Sequence, residues 1–131
     1  MLKTITHKIA FKSPPHEVYE AYLDSKKHAQ FTGAKAKISR VAGGSYSVFD
    51  GYISGYNIKL IQDERIIQYW EPKSDGWPKG HLSRVDFVLK KRGKGTLLKL
   101  THSNVPENMV ESVDRGWHRH YWAPMKKMLE S

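Results

Sequence analysis

Cysteine is absent from the 131 residues. That removes disulfide staples, thiol nucleophiles and cysteine-ligated zinc or iron–sulfur centres. Acidic side chains are few, 13 against 22 Lys and Arg, which leaves a formal charge of +9 at pH 7. No run approaches the ~20 consecutive apolar residues of a membrane span, and the opening residues Met1 to Lys8 hold no apolar stretch of the signal-peptide kind. A cytoplasmic location without membrane association is expected. Also missing are a Gly-x-Ser-x-Gly elbow, a His-x-x-x-His or Glu-x-x-His pair on the last helix, repeats and low-complexity tracts. Serine catalysis, a bound metal and a cofactor are therefore not expected.

What is present suits one domain spanning residues 1–131. A chain of this size buries roughly two-thirds of its unfolded surface, and 39% apolar residues with 27% charged is ordinary for a folded protein. Ile5, His7, Ile9 and Phe11 alternate with Thr4, Thr6, Lys8 and Ala10, the period of a strand. Ser13-Pro14 then predicts a helix start, with Ser13 as cap and a helix to about Leu23. Asp24 or Ser25 can cap a second short helix that ends at Thr32-Gly33. Six strands are predicted at about 34–40, 45–50, 52–60, 65–71, 82–91 and 95–103, with a tight hairpin at Asp50-Gly51 and a long irregular loop over 72–80.

From Pro106 the period lengthens, and Met109, Val113, Trp117, Tyr121, Pro124 and Met128 recur at helical steps. About 22 residues at ~1.5 Å each reach across a whole sheet, and Pro124 should kink the last part. The expected class is α+β: a curved antiparallel sheet of seven strands gripping a long C-terminal helix, with two short helices after the first strand.

Several separated motifs carry a family likeness. Gly43-Gly44-Ser45-Tyr46, Phe49 through Gly55, Trp77-Pro78-Lys79-Gly80-His81, Gly116-Trp117 and Tyr121-Trp122 occur in one order along nearly the whole chain. In these the sequence resembles the domain shared by activators of the heat-shock protein 90 ATPase and their bacterial and archaeal homologues. The resemblance implies the helix-grip fold of the START-like superfamily, a non-enzymatic role, and a heat-shock protein 90-type chaperone as partner. By analogy across that superfamily it also implies a cavity for a small hydrophobic ligand.

Candidate residues follow. A cavity under the last helix would be lined by Trp117, Tyr121 and Met125 with Met128, and by Tyr52, Tyr56, Tyr69, Phe87 and Leu100 from whichever strand faces turn inward. Trp117 and Tyr121 share a helical face, whereas Trp122 points about 100° away. The loop residues Trp77, Lys79 and His81 offer an interaction surface, and the packing alternative has Trp77 plugging one end of the gap between sheet and helix. Glu71, Asp86 and His102 would form an acid–base set only if they met inside the cavity.

The basic residues are dispersed. Lys26-Lys27, Lys35, Lys37, Lys90-Lys91-Arg92, Lys94 and Lys126-Lys127 sit on separate elements, away from the aromatic clusters. A nucleic-acid platform would interleave the two, so no nucleic acid is expected. An acidic protein surface is a more fitting partner for a +9 chain.

Overall fold

A computed structural model of the protein describes residues 1–130. In chain order it contains β1 (Leu2–Phe11), α1 (Pro15–Leu23), α2 (Ser25–Thr32), β2 (Lys37–Ile38), β3 (Ser45–Val48), β4 (Ile53–Ile61), β5 (Arg65–Pro72), β6 (Ser83–Arg92) and β7 (Gly95–Pro106). A continuous helical run follows: a 3-10 turn at Glu107–Met109, α3 (Val110–Trp117), a π turn at His118–Trp122 and α4 (Ala123–Leu129).

The seven strands form one antiparallel sheet in the order β1-β7-β6-β5-β4-β3-β2. Neighbours in sequence pair as hairpins. β1 is the exception and closes against β7, because α1 and α2 carry the chain away before β2 begins. Alternation decides the inner face. Ser83, Val85, Phe87 and Leu89 of β6 are buried, as are Leu98, Leu100 and His102 of β7, while Arg84 and Lys99 face solvent. Burying these strips under the C-terminal helical run and α1, whose Tyr22 packs on Phe87 at 4.5 Å, is the main stabilising term, at roughly 25 cal/mol per Å² of apolar surface.

Local chemistry moves several boundaries from their expected places. The caps of the two short helices differ. Pro14, at φ −68° and ψ 161°, is the residue before α1, because a residue preceding proline is pushed into the extended region and Pro15 takes the first helical position. Ser13 Oγ–H instead donates to the Leu129 carbonyl at 3.2 Å and ties the start of α1 to the end of the chain. Asp24 caps α2 by accepting from the Lys27 N–H at 3.0 Å. Gly33, at φ 75°, ends it.

The strand expected over 34–40 shrinks to Lys37–Ile38. Lys35 spends its backbone groups on Asp50, donating to the carboxylate at 2.9 Å and accepting from the Asp50 N–H at 3.1 Å, so it leaves the ladder. The two-residue hairpin expected at Asp50-Gly51 is a 3-10 turn over Phe49–Gly51. Phe49, Asp50 and Gly51 all lie at positive φ, 52°, 56° and 93°. Only Gly51 takes that conformation without steric cost, and the Lys35–Asp50 bonds hold the other two there.

Gly55 is required for a different reason. Tyr46 O–H crosses over it to reach the Tyr69 carbonyl at 2.6 Å, and a Cβ on Gly55 would sit 2.0 Å from that carbonyl oxygen. The Pro124 discontinuity also takes an unexpected form. A π turn precedes the proline, and the Ala123 N–H reaches back five residues to the His118 carbonyl. The wider turn carries Trp122 round to stack on Trp117, with ring centroids 5.4 Å apart and planes 15° apart. Trp117, Tyr121 and Trp122 therefore all face the sheet, where ordinary helical spacing predicted that Trp122 would diverge.

Candidate functional site

A cavity of about 360 Å³ opens under the first half of the helical run. The turn before β4 contributes Phe49 and Tyr52, β4 contributes Ile53, and β5 contributes Trp70 and Pro72. From the helical side come Met109, Ser112, Val113, Gly116, Trp117, His120 and Tyr121. Its walls are mostly apolar and hold no Asp, Glu, Lys or Arg. Tyr52, 46% exposed, and the exposed Ser112 and His120 mark its mouth. The lower end of the ~300–1,000 Å³ range of small-molecule sites matches this volume.

Polar groups around it are tightly bonded. Trp117 Nε1–H donates to His102 Nδ1 at 3.0 Å, which places the imidazole proton on Nε2. That proton goes to Ser83 Oγ at 2.7 Å, and the serine hydroxyl donates to the Trp70 carbonyl at 3.1 Å. Burial lowers the His102 pKa to about 3, with a smaller contribution from His7. His28 is held in the same way: its Nδ1–H donates to the Tyr22 carbonyl at 2.8 Å, and its Nε2 accepts from the Tyr121 hydroxyl at 3.2 Å. Desolvation lowers its pKa to about 4, against the opposing pull of the Tyr22 carbonyl. Burial also raises the Tyr22 and Tyr121 pKa values well above 10. These groups are neutral at pH 7 and hold one another in place through these hydrogen bonds.

The expected acid–base set does not assemble. Asp86 lies on the outer face of the sheet and binds Arg65 through two bonds, at 2.8 and 3.2 Å, while His102 points inward. Glu71 follows the inward-facing Trp70 and so takes the outer side.

Of the residues expected to line the cavity, Tyr52, Trp117 and Tyr121 do so. Phe87, Leu100 and Met125 are on the inner side but belong to the packed core; Phe87 meets Trp117 and Trp122 at 5.6 and 5.8 Å. Tyr56 and Tyr69 are on the opposite face, paired ring to ring at 4.9 Å, and Tyr56 is 41% exposed. Strand parity is the reason: Ile53 and Trp70 take the inward positions, so Tyr56 and Tyr69 turn out. Trp70, next to Tyr69 in sequence, is the wall residue that sequence reasoning passed over.

The loop between β5 and β6 behaves as a plug. Trp77 is buried, packs edge-on against Trp70 at 5.6 Å and donates its indole N–H to the His81 carbonyl at 2.8 Å. It is therefore no part of an exposed interaction surface. His81 is half-buried and donates to the Asn104 carbonyl at 2.7 Å; Lys79 alone of the three is fully exposed.

One cluster escaped the sequence motifs because it pairs a strand with a helix. His7 of β1 comes within reach of Asp114 and His118, which stand four apart on the C-terminal helical run, and their ligand atoms lie within 4.8 Å of one another. The bonding there is that of a proton-sharing pair. Trp122 Nε1–H donates to His7 Nδ1 at 3.0 Å, so His7 carries its proton on Nε2 and gives it to Asp114 at 2.6 Å. The lone pair a cation needs on Nε2 is thus occupied by hydrogen.

A seven-stranded antiparallel sheet wrapped around one C-terminal helix, with a cavity between them, defines a helix-grip domain of the START-like class. The chain belongs to the family described as Activator of Hsp90 ATPase homolog 1-like protein, whose pattern matches residues 12–130. It is similar to the human activator of 90 kDa heat shock protein ATPase homolog 1, at 28% identity over 94% of this chain and 36% of the relative. The chain therefore spans about a third of the length of the curated relatives it matches. Among solved structures, an HSP90 activator from Plasmodium falciparum superposes with a TM-score of 0.90 at 22% identity, covering 97% of this chain and 96% of the other. CalU16 from Micromonospora echinospora gives 0.81 at 25%, covering 99% and 77%.

Proposed function

We propose that this chain is a non-catalytic binding module whose partner is an Hsp90-type chaperone. The relatives named for that activity suggest the partner, and one feature of this chain carries the reading. Lys8 of β1 and Lys99 of β7 stand directly opposite each other on the outer face of the sheet, with Lys90 of β6 diagonal to Lys99. All three are exposed, and none forms an ion pair among the described residues. Like charges in register destabilise a sheet. An acidic partner surface would offset that repulsion and account for the arrangement.

The test combines purified protein with the chaperone of its own host at low salt and follows binding and ATP turnover. Association is expected to weaken steeply with added salt, and Lys8→Glu with Lys99→Glu should weaken it about tenfold or more. Absence of both binding and any change in turnover at low salt would discard the reading.

A second reading, a carrier or receptor for a small hydrophobic molecule, is favoured by the 360 Å³ apolar cavity. Native mass spectrometry of gently purified protein is expected to show a co-purified mass, and a bare chain that also takes up no added apolar probe would count against it.

A further inference from the structure

Half of the cavity lining is rings: Phe49, Tyr52, Trp70, Trp117, His120 and Tyr121. Hydrogen-bonding groups are unevenly placed among them. Inside, each is spent or covered. The Tyr121 hydroxyl donates to His28 and the Trp117 indole to His102, while Trp70 Nε1, which has no partner among the described residues, is itself buried. At the mouth the opposite holds. The Ser112 hydroxyl, the Tyr52 hydroxyl and both ring nitrogens of His120 have no protein partner among the described residues, and all three side chains are exposed.

His120 stands apart from the other histidines. Five of the seven, His7, His16, His28, His81 and His102, use their ring nitrogens in hydrogen bonds, and His118 lies on the His7 ring at 4.3 Å. The His120 ring is edge-on to Phe49 at 5.8 Å, and its Cδ2 is 4.0 Å from where a Cβ on Gly116 would be, which seats it across the stretch of helix that carries no side chain. A polar group carried into the interior would lose its water and find no free partner. The same group at the mouth exchanges water for these donors and stays partly solvated.

Charge selects the kind of group. No carboxylate lines the cavity. Lys73 Nζ is 3.9 Å from where a Cβ on Gly51, the neighbour of Tyr52, would be, and Arg119 adjoins His120 in sequence; both are exposed and free of ion pairs among the described residues. Asp50 is turned to the Lys35 N–H, and Glu111 adjoins Ser112, about 12 Å from His120 along the helical run.

We propose that the cavity takes a one-ended amphiphile, an aromatic body with a single acidic group, whose rings lie against Trp117 and Tyr121 and whose acid sits at the mouth and accepts an N–H of His120. This rests on the carrier reading and gives it a ligand class and an orientation.

Three naphthalenes test it on the ¹⁵N-labelled full chain in moderate salt: 2-acetylnaphthalene, with a neutral group of nearly the same shape as a carboxylate, 2-naphthoate, with one acid, and 2,6-naphthalenedicarboxylate, with an acid at each end. The indole N–H signal of Trp117 reports affinity and position together. 2-Naphthoate is expected to move that signal and to bind about tenfold more tightly than either of the others, through a charge-assisted bond that the ketone lacks and without the second charge that the diacid must bury. His120→Phe keeps a ring against Phe49 and removes its nitrogens. It should bring 2-naphthoate to the affinity of the ketone, whose own binding stays as in the parent protein and shows that the variant is folded.

Equal binding of 2-naphthoate and 2-acetylnaphthalene to the parent protein would overturn the acid preference and leave the carrier reading standing. A diacid that binds as tightly as the monoacid would refute the one-ended orientation, because anions would then be collecting on the basic surface. If none of the three moves the Trp117 signal, the carrier reading falls as well.

Discussion

The same helical run meets the sheet in two different ways along its length. Toward its C-terminal half, Trp122 stacks on Trp117, Phe87 packs against both, and Met125 and Leu98 are buried and take no part in lining the cavity. Toward its N-terminal half, Met109, Val113 and Gly116 stand back from Ile53, Trp70 and Pro72, and space remains. The difference traces to side-chain size and to the π turn. Gly116 offers no bulk where Trp122 offers an indole, and the wider turn lays Trp122 against Trp117, whose own ring also lines the cavity. Neighbouring stretches of one element can thus serve cohesion and reception separately.

The largest effect expected from disturbing this contrast is acid-induced. His28 and His102 stand near the boundary between the two halves, neutral, with folded pKa values near 4 and 3. In the unfolded chain a histidine titrates near 6.5. The unfolded state therefore binds more protons between those values, and stability falls as pH drops from about 6.5 toward 4. A proton on His102 Nδ1 would oppose the Trp117 N–H, and one on His28 Nε2 would oppose the Tyr121 hydroxyl in its present role as donor. Together the two should remove on the order of 6 kcal/mol by pH 4, measurable by urea unfolding across that range. An unchanged midpoint would contradict the neutral-scaffold description.

Next in size is truncation at the filled end. Phe87→Ala should cost about 3–5 kcal/mol in chemical denaturation, since the surrounding indoles cannot collapse onto the space left. At the open end the opposite sign is expected for a small change. A Cβ on Gly116 meets nothing closer than the His120 ring at 4.0 Å, so Gly116→Ala should stabilise by about 0.5–1 kcal/mol through helix propensity. A destabilisation of similar size would show that the cavity wall has no room and would blur the distinction between the halves.

Much of this was readable beforehand. Alternation identified β1 as a strand with Ile5, His7, Ile9 and Phe11 on one side, and the helical period from Met109 to Met128 announced the closing helix. The resemblance carried the fold as a whole. What resisted was parity and coupling. Tyr56 and Tyr69 looked as suitable for a cavity as Tyr52, because aromatic residues suit either face of a strand and a shift of one position exchanges inside for outside. The strand expected over 34–40 alternated Lys35 and Lys37 with Ala36 and Ile38, and Lys35 lost its place in the ladder to a side chain fifteen positions away. Trp77 suited either a surface anchor or a plug between sheet and helix, and its buried indole belongs to the core.

Composition and periodicity by themselves determined that this chain builds an α+β domain without disulfides, with a long amphipathic helix after a series of hairpins, since those features depend on neighbours a few residues apart. Only the assembled molecule decided which tryptophan keeps an unmet donor, which histidines stay neutral, and where the helix leaves space. Those outcomes depend on atoms brought together from distant parts of the chain, where burial removes water as an alternative partner and makes each missing or completed hydrogen bond count.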